Sequence, residues 1–341
     1  MKKRKMPDEA GIMLVLLVVL LAFSLMSPNF RTLDNFFVLL VNGTVIGFLA
    51  LGQSFVLLTG GIDLSAGANI AMSGVLVALL MQLGLPWPVA ILFALMAGTL
   101  LGVANGILVH YVRIPPFIAT FSTQGVALAI PLIITGANSI QVRQPSFSWI
   151  GQGSIAGIPL PVLLLLVAAV IGGLFLVSTR AGVHIYALGG NRNAARLAGV
   201  NVARTTILVY AVSGFCGGMG GMIITSRLMV GFPATGTGNE LFYSIAAAVV
   251  GGISLFGGVG TVLGAMIGAV LIASVSNGMN VLSVQSYWQS LVIGVIILAG
   301  VSFDTLRRSQ KVRPAAPRAT SVPPTSTDPS ARMATLPTSE S

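Results

Sequence analysis

At 341 residues, 55% hydrophobic and only 8% charged, the chain falls outside the range of soluble domains and into the membrane class. Its net charge of +10 sits in flanks and between apolar runs, so it reflects membrane topology and not nucleic-acid binding. Two histidines and one cysteine supply no metal cluster, disulfide framework or Cys-His catalysis, so no catalytic or metal-ligating residue is assigned.

Residues 1–10, MKKRKMPDEA, read as a cytoplasmic tail. The apolar run from Gly11 to Met26 follows without a small-residue cleavage site, which makes it a first spanning anchor. Further runs close to the length that a hydrocarbon core of about 30 Å requires lie at 36–58, 66–83, 88–109, 117–136, 160–178, 205–226, 241–256, 258–277 and 287–303. The expected fold class is all-α: a polytopic membrane protein of about ten transmembrane helices, with a membrane domain over 11–306. Starting inside and alternating, only Arg31, Arg143 and Arg227 fall outside, and the other basic residues, fifteen of 18, fall inside. Both termini are thus expected in the cytoplasm. The external segment 137–159, rich in Gly, Pro and Ser, is expected to be a re-entrant plug or a cap. Residues 307–341 form a basic Pro/Ser/Thr-rich tail without the apolar surface to fold, and no function is assigned to it.

Glycines recur every four residues at Gly98, Gly102 and Gly106 and at Gly260, Gly264 and Gly268, with Gly214/Gly218 and Gly217/Gly221 as further pairs. Such stripes let helices approach closely in lipid. They are not nucleotide loops, because all four lysines sit at positions 2, 3, 5 and 311 and none can complete a Walker A motif.

Residues 60–67, GGIDLSAG, and 251–258, GGISLFGG, share the pattern GGIxLxxG between apolar runs. Helices broken at matching places in two halves point to a transport pathway. Gly60, Gly61, Asp63, Ser65, Gly67 and Asn69, with Gly251, Gly252 and Ser254, are therefore assigned to a broken-helix translocation region. The span count makes the two copies parallel. Asp63 is the one acid expected at membrane depth and has two readings. As a carboxylate in a membrane it is a candidate proton or cation site. As the partner of Ser254 in the repeat it is a side-chain oxygen that caps a turn, which the repeat favours. Among other polar residues inside spans, Asn42, Gln53, Asn105, Thr120 and Gln124 are candidates for pore lining, against interhelical hydrogen bonding as the alternative.

The longest basic interruption is 179–204, TRAGVHIYALGGNRNAARLAGVNVART, with Arg180, Arg192, Arg196 and Arg204. Asn191 or Asn193 can cap a short helix that Gly199 ends. Two turns are too short to stand alone in water, so this helix needs a surface. Ala194, Leu197 and Ala198 form an apolar stripe, and Arg192 and Arg196 share a different face. The segment reads as a docking helix; the alternative is a loop whose arginines only fix topology.

TGGIDLSAGANIAMSG (59–74), RIPPFIATFSTQGVALAI (113–130) and ALGGNRNAARLAGVNV (187–202) together resemble the motifs of ribose-type sugar permeases of bacterial ABC importers, in a superfamily shared with branched-chain amino-acid permeases. The resemblance runs to about residue 306. It implies a homodimeric, non-enzymatic transport subunit of the bacterial cytoplasmic (inner) membrane, surrounded by lipid. Its implied partners are a cytoplasmic ABC ATPase, which carries the ATP and Mg, and a secreted or periplasmic sugar-binding protein; no nucleic acid and no cofactor of its own are implied. It further implies that Gly190, Asn191, Ala194, Ala195, Arg196, Leu197, Ala198 and Gly199 form the coupling helix, and that transport proceeds by alternating access. The extended basic tail departs from the family's short carboxyl end. The competing classes are a proton- or cation-coupled secondary transporter using Asp63 and an amino-acid permease of the same superfamily. An intramembrane enzyme is disfavoured, because no nucleophile and base fall together in one span.

Overall fold

A computed structural model describes residues 9–236 and 238–311, so the basic residues at positions 2–5 and the tail beyond 311 lie outside the described residues. The chain up to Asp304 forms one compact unit. The second, from Thr305 onward, is helical in its described part.

Among the described residues, eight helices are long and apolar enough to cross a membrane: α1 (Glu9–Met26), α2 (Leu33–Leu58), α3 (Ser65–Gln82), α4 (Trp87–His110), α5 (Pro116–Thr135), α7 (Leu160–Ser178), α10 (Val202–Leu228) and α12 (Val262–Val281). Between them lie α6 (Ser148–Gln152), α8 (Arg180–Gly190), α9 (Arg192–Leu197) and α11 (Glu240–Val250), and α13 (Ser286–Lys311) closes the described chain. Two of these carry shorter apolar stretches, Glu240–Val250 and Ser286–Ser302, so each of the ten predicted spans has its helix. The protein is all-helical and multi-pass.

Two predicted boundaries move for the same reason. The span expected at 241–256 stops at Val250, and the one expected at 258–277 begins only at Val262. The intervening Gly252, Gly257, Gly258 and Gly260 have φ of +91°, +87°, +76° and +134°, which no right-handed helix admits. Gly260 is thus outside the helix, and the stripe on α12 is Gly264 and Gly268 alone. With 11 residues, α11 rises only about 16 Å, half a hydrocarbon core.

The bundle is organised around α2 and α10. Residues 44–58 of α2 are buried throughout. The α4 glycine stripe seats that helix on α10: a Cβ added at Gly102 would lie 2.1 Å from the Tyr210 carbonyl, and one at Gly106 would lie 2.6 Å from Ile207 Cα. On its other side α10 presents Gly217 and Gly221 to α3. Two backbones this close gain dispersion contact that larger residues would forbid. The segment 137–159 packs against the end of α10. Ile140–Gln141 pairs antiparallel with Val230–Gly231. Ser226 donates to the Phe147 carbonyl at 2.5 Å and accepts from Gly151 N at 2.8 Å.

Candidate functional site

The α2–α3 break holds a fully satisfied polar cluster. Backbone that leaves a helix inside a membrane protein must find its hydrogen bonds within the protein, and here Gln53 supplies them. Its amide nitrogen donates to the Asp63 carbonyl, and its amide oxygen accepts from Asp63 N at 3.4 Å. The Asp63 side chain is 0% exposed. One carboxylate oxygen accepts from Ser65 N at 2.9 Å and from the Ser65 hydroxyl at 2.6 Å; the other accepts from Ser213 of α10 at 2.6 Å. Three donors on one carboxylate are what burial of such a group demands. The cluster continues outward, as Asn105 of α4 donates to Ser65 Oγ at 2.7 Å and Thr123 of α5 donates to Asn105 Oδ1 at 2.6 Å. Five helices, α2, α3, α4, α5 and α10, therefore meet at one turn.

The second copy of the repeat makes the same local bond: Ser254 Oγ accepts from Phe256 N at 3.3 Å, two residues on, as Asp63 accepts from Ser65 N. In both copies this oxygen closes a turn. The copies also touch. Gly258 N donates to the Leu58 carbonyl at 2.9 Å, and Gly60 lies against the Phe256 carbonyl. In each copy one helix, α2 or α11, ends at this junction and another, α3 or α12, begins after it.

The basic island joins them there. It folds as two helices where one was expected. Thr179 caps α8 by accepting from Gly182 N at 3.1 Å, and Asn191 caps α9 by accepting from Ala194 N at 3.0 Å. The buried side of α8 is Gly182, Ile185 and Leu188. At its end Gly189 has no room for a side chain: an added Cβ would stand 1.9 Å from the Leu58 carbonyl oxygen and 2.5 Å from Gly258 N. Tyr186 donates to the Gly260 carbonyl at 2.9 Å. Burial pushes the Tyr186 phenol above its usual range, so the donor keeps its proton at every physiological pH. Its contribution is full below the unfolded pKa of about 10 and is lost only as pH rises through the higher folded value.

Past Gly190 the chain turns outward. In α9 only Ala195 is buried, while Ala194, Leu197 and Ala198 are exposed, Leu197 by 90%. Gly199, at φ +84°, ends the helix. Among the described residues nothing covers the predicted apolar stripe, and Ala195 is the residue that anchors the helix.

Of the polar residues considered for pore lining, Gln53, Asn105 and Thr120 are fully buried and engaged in bonds between elements, Thr120 reaching toward the Ile62 carbonyl at 3.4 Å. Asn42 is exposed and accepts from Arg227 Nη1 at 2.6 Å; Gln124 is half-buried on α5. Asn69 ties α3 to α10 through the Gly214 carbonyl at 2.7 Å, and Gly67 packs against the Gly236 carbonyl. Gly61 packs against the Tyr210 hydroxyl, and Gly251 against Gly264. Ser213, Tyr186 and Gly189 were not singled out by the sequence. Only Gly189 left a trace there, as a glycine pair at 189–190 matching the pair at 257–258.

Over residues 35–301 the chain matches the family described as branched-chain amino acid transport system / permease component. It is 38% identical over 301 residues to the D-allose transport system permease protein of Escherichia coli K12, covering 88% of this chain and 92% of that one. It is 36% identical over 304 residues to the ribose import permease protein of the same strain, covering 88% and 94%. To the L-arabinose ABC transporter permease protein of Azospirillum brasilense it is 36% identical over 304 residues, 89% of each chain. No solved structure matches it.

Proposed function

The chain belongs to the family of branched-chain amino acid transport system permease components, and on that premise we propose that it is the membrane subunit of an ATP-driven importer for a monosaccharide. Relatives 36–38% identical to it carry allose, ribose and arabinose in their names, which favours a sugar over an amino acid as cargo. Two copies would enclose the path in the bacterial inner membrane, with both termini in the cytoplasm. A binding protein would deliver the sugar from outside, and an ABC ATPase would bind and hydrolyse the nucleotide.

The observation that carries this reading is the island. A short helix with an exposed apolar stripe, α9, follows directly on a helix end, Gly189, packed backbone against backbone on Leu58 at the entry to the first GGIxLxxG turn and on Gly258 of the second. A partner that moved α9 would move both turns with it. In alternating access, nucleotide-driven closure of the ATPase would displace the island and re-pack the turns between inward- and outward-facing states. The secondary-transporter reading is less well supported, because both Asp63 carboxylate oxygens already accept bonds from Ser65 and Ser213.

The test is the double substitution Arg196→Glu/Leu197→Asp in the complex with its copurified ATPase and binding protein. Sugar-stimulated ATPase activity should separate from uptake in proteoliposomes. Uptake at the unaltered rate would overturn the assignment of α9.

A further inference from the structure

A second cytoplasmic-side loop, the α4–α5 connection, reaches the island. Together the two enclose an open cavity of about 750 Å³ whose walls include Arg113 from that loop, Arg192 and Arg196 from α9, and the start of α10 at Val202. His110 is the remaining ionisable group of the wall, and no acid lines it among the described residues. Three features set this apart from arginines that only mark the inner side of a membrane. Arg192 and Arg196 stand one turn apart on α9, where like charges repel, and the short helix with its Asn191 cap holds them together regardless. Arg113, at φ +63°, holds the left-handed position that ends α4, fixed by the Ile114 N to Leu108 carbonyl bond at 3.2 Å, so the helix end sets where its side chain leaves the loop. The ring nitrogen Nδ1 of His110 is buried without a hydrogen-bond partner among the described residues.

We propose that this cavity is the seat of an acidic segment of the ATPase subunit, with Arg113 acting together with Arg192 and Arg196 as its receptor. The inference rests on the importer reading above and extends the docking surface from α9 alone to the α4–α5 loop. Whatever covers the exposed Ala194, Leu197 and Ala198 borders the cavity, since α9 forms part of its wall. Carboxylates entering there would relieve the repulsion between the arginines and could meet each guanidinium by paired hydrogen bonds. Arg113 stands three residues before the start of α5, the helix whose Thr123 reaches the Asp63 cluster through Asn105. Docking at this loop therefore engages α5 as well as the island.

The experiment measures binding of the copurified ATPase to the full-length permease in nanodiscs of neutral lipid over a salt series. Wild type, Arg113→Gln, Arg113→Gln/Arg196→Gln and Leu197→Asp are compared, each checked for monodispersity. Affinity should fall with rising salt; Arg113→Gln should lower it about fivefold and the double variant about thirtyfold, with a flatter salt dependence. Arg113→Lys should recover most of the loss, which a merely structural effect on the loop would not do. Wild-type affinity in the double variant, with Leu197→Asp still impaired, overturns the acidic-segment proposal and leaves the importer reading standing. Wild-type affinity in all variants overturns both. An effect of the arginines that appears only in nanodiscs of anionic lipid assigns them to headgroups and also overturns the proposal.

Discussion

Gly189→Ala offers the sharpest test of the link between the island and the two turns. The added methyl would stand 1.9 Å from the Leu58 carbonyl oxygen and 2.5 Å from Gly258 N, where ordinary contact begins at 3.4 Å. Both obstacles are backbone, so no side chain can swing away. The end of α8 has to withdraw by more than an ångström, or the Gly258 N to Leu58 O bond has to open. Overpacking of this kind costs about 1–3 kcal/mol, and a lost backbone bond adds roughly 1 kcal/mol. Neighbouring Gly190 meets nothing within 4 Å and has an ordinary φ, so Gly190→Ala isolates the effect of the methyl itself. In detergent, Gly189→Ala should unfold at a lower temperature than Gly190→Ala, which should match wild type. In proteoliposomes with the ATPase, Gly189→Ala should hydrolyse ATP while sugar uptake falls at least tenfold. Equal unfolding midpoints for the two variants would refute the steric argument, and unimpaired uptake in Gly189→Ala would refute the mechanical one.

Asp63 can be examined by a pair of substitutions. Asp63→Asn keeps an oxygen for Ser65 N, so assembly and uptake should persist; loss of uptake in a normally assembled Asp63→Asn protein would instead establish a role for the charge. Asp63→Ala strands the Ser65 and Ser213 donors and should destabilise the protein by about 1–3 kcal/mol per unsatisfied group, read as a lowered thermal midpoint. Tyr186→Phe removes the bond to Gly260 O, and a destabilisation of about 0.5–1.5 kcal/mol is expected. That difference should stay constant from pH 6 to about 9, because the buried phenol remains protonated throughout this window.

The spans were legible because a hydrocarbon core imposes one length on every crossing segment. Their breaks were less so. The GGIxLxxG repeat marked the break at 251–258, but Ile253, Leu255 and Phe256 kept the hydropathy high, so the runs at 241–256 and 258–277 overran the stretch where φ shows that the chain has left the helix. The cap of α9 could be read from Asn191, yet α8 could not. Gly182, Gly189 and Gly190 lower its intrinsic helicity by about 1 kcal/mol each, and it forms because Ile185 and Leu188 are buried against the bundle. The Asp63 cluster shows the limit most clearly. Ser65 is two residues away and was visible as a turn signal, whereas Ser213 is 150 residues distant. One sequence contains no measure of that proximity. The α4 stripe at Gly98, Gly102 and Gly106 announced a close helix contact but not that α10 would be the partner.

The long-range bonds also explain why the first turn, more than the second, stands at the centre of the molecule. The island leads to it along both directions of the chain. Backward from α9, Gly189 lies on the Leu58 carbonyl and so on the end of α2. Forward from α9, Asn201 caps α10 through Arg204 N at 3.0 Å, and α10 carries Tyr210, whose hydroxyl donates to the Ile62 carbonyl at 3.3 Å, and Ser213, which donates to Asp63. The backward route ends on Leu58 and the forward one on Ile62 and Asp63, on either side of the Gly60–Gly61 turn. A displacement of the island relative to the bundle cannot leave both contacts unchanged, because one is backbone packing at the end of α8 and the other is a set of side-chain bonds well inside α10. On the importer reading, the turn at 62–63 is where motion at the cytoplasmic face first has to be resolved into motion of α3, and Ser65, Asn105 and Thr123 carry it from there to α4 and α5.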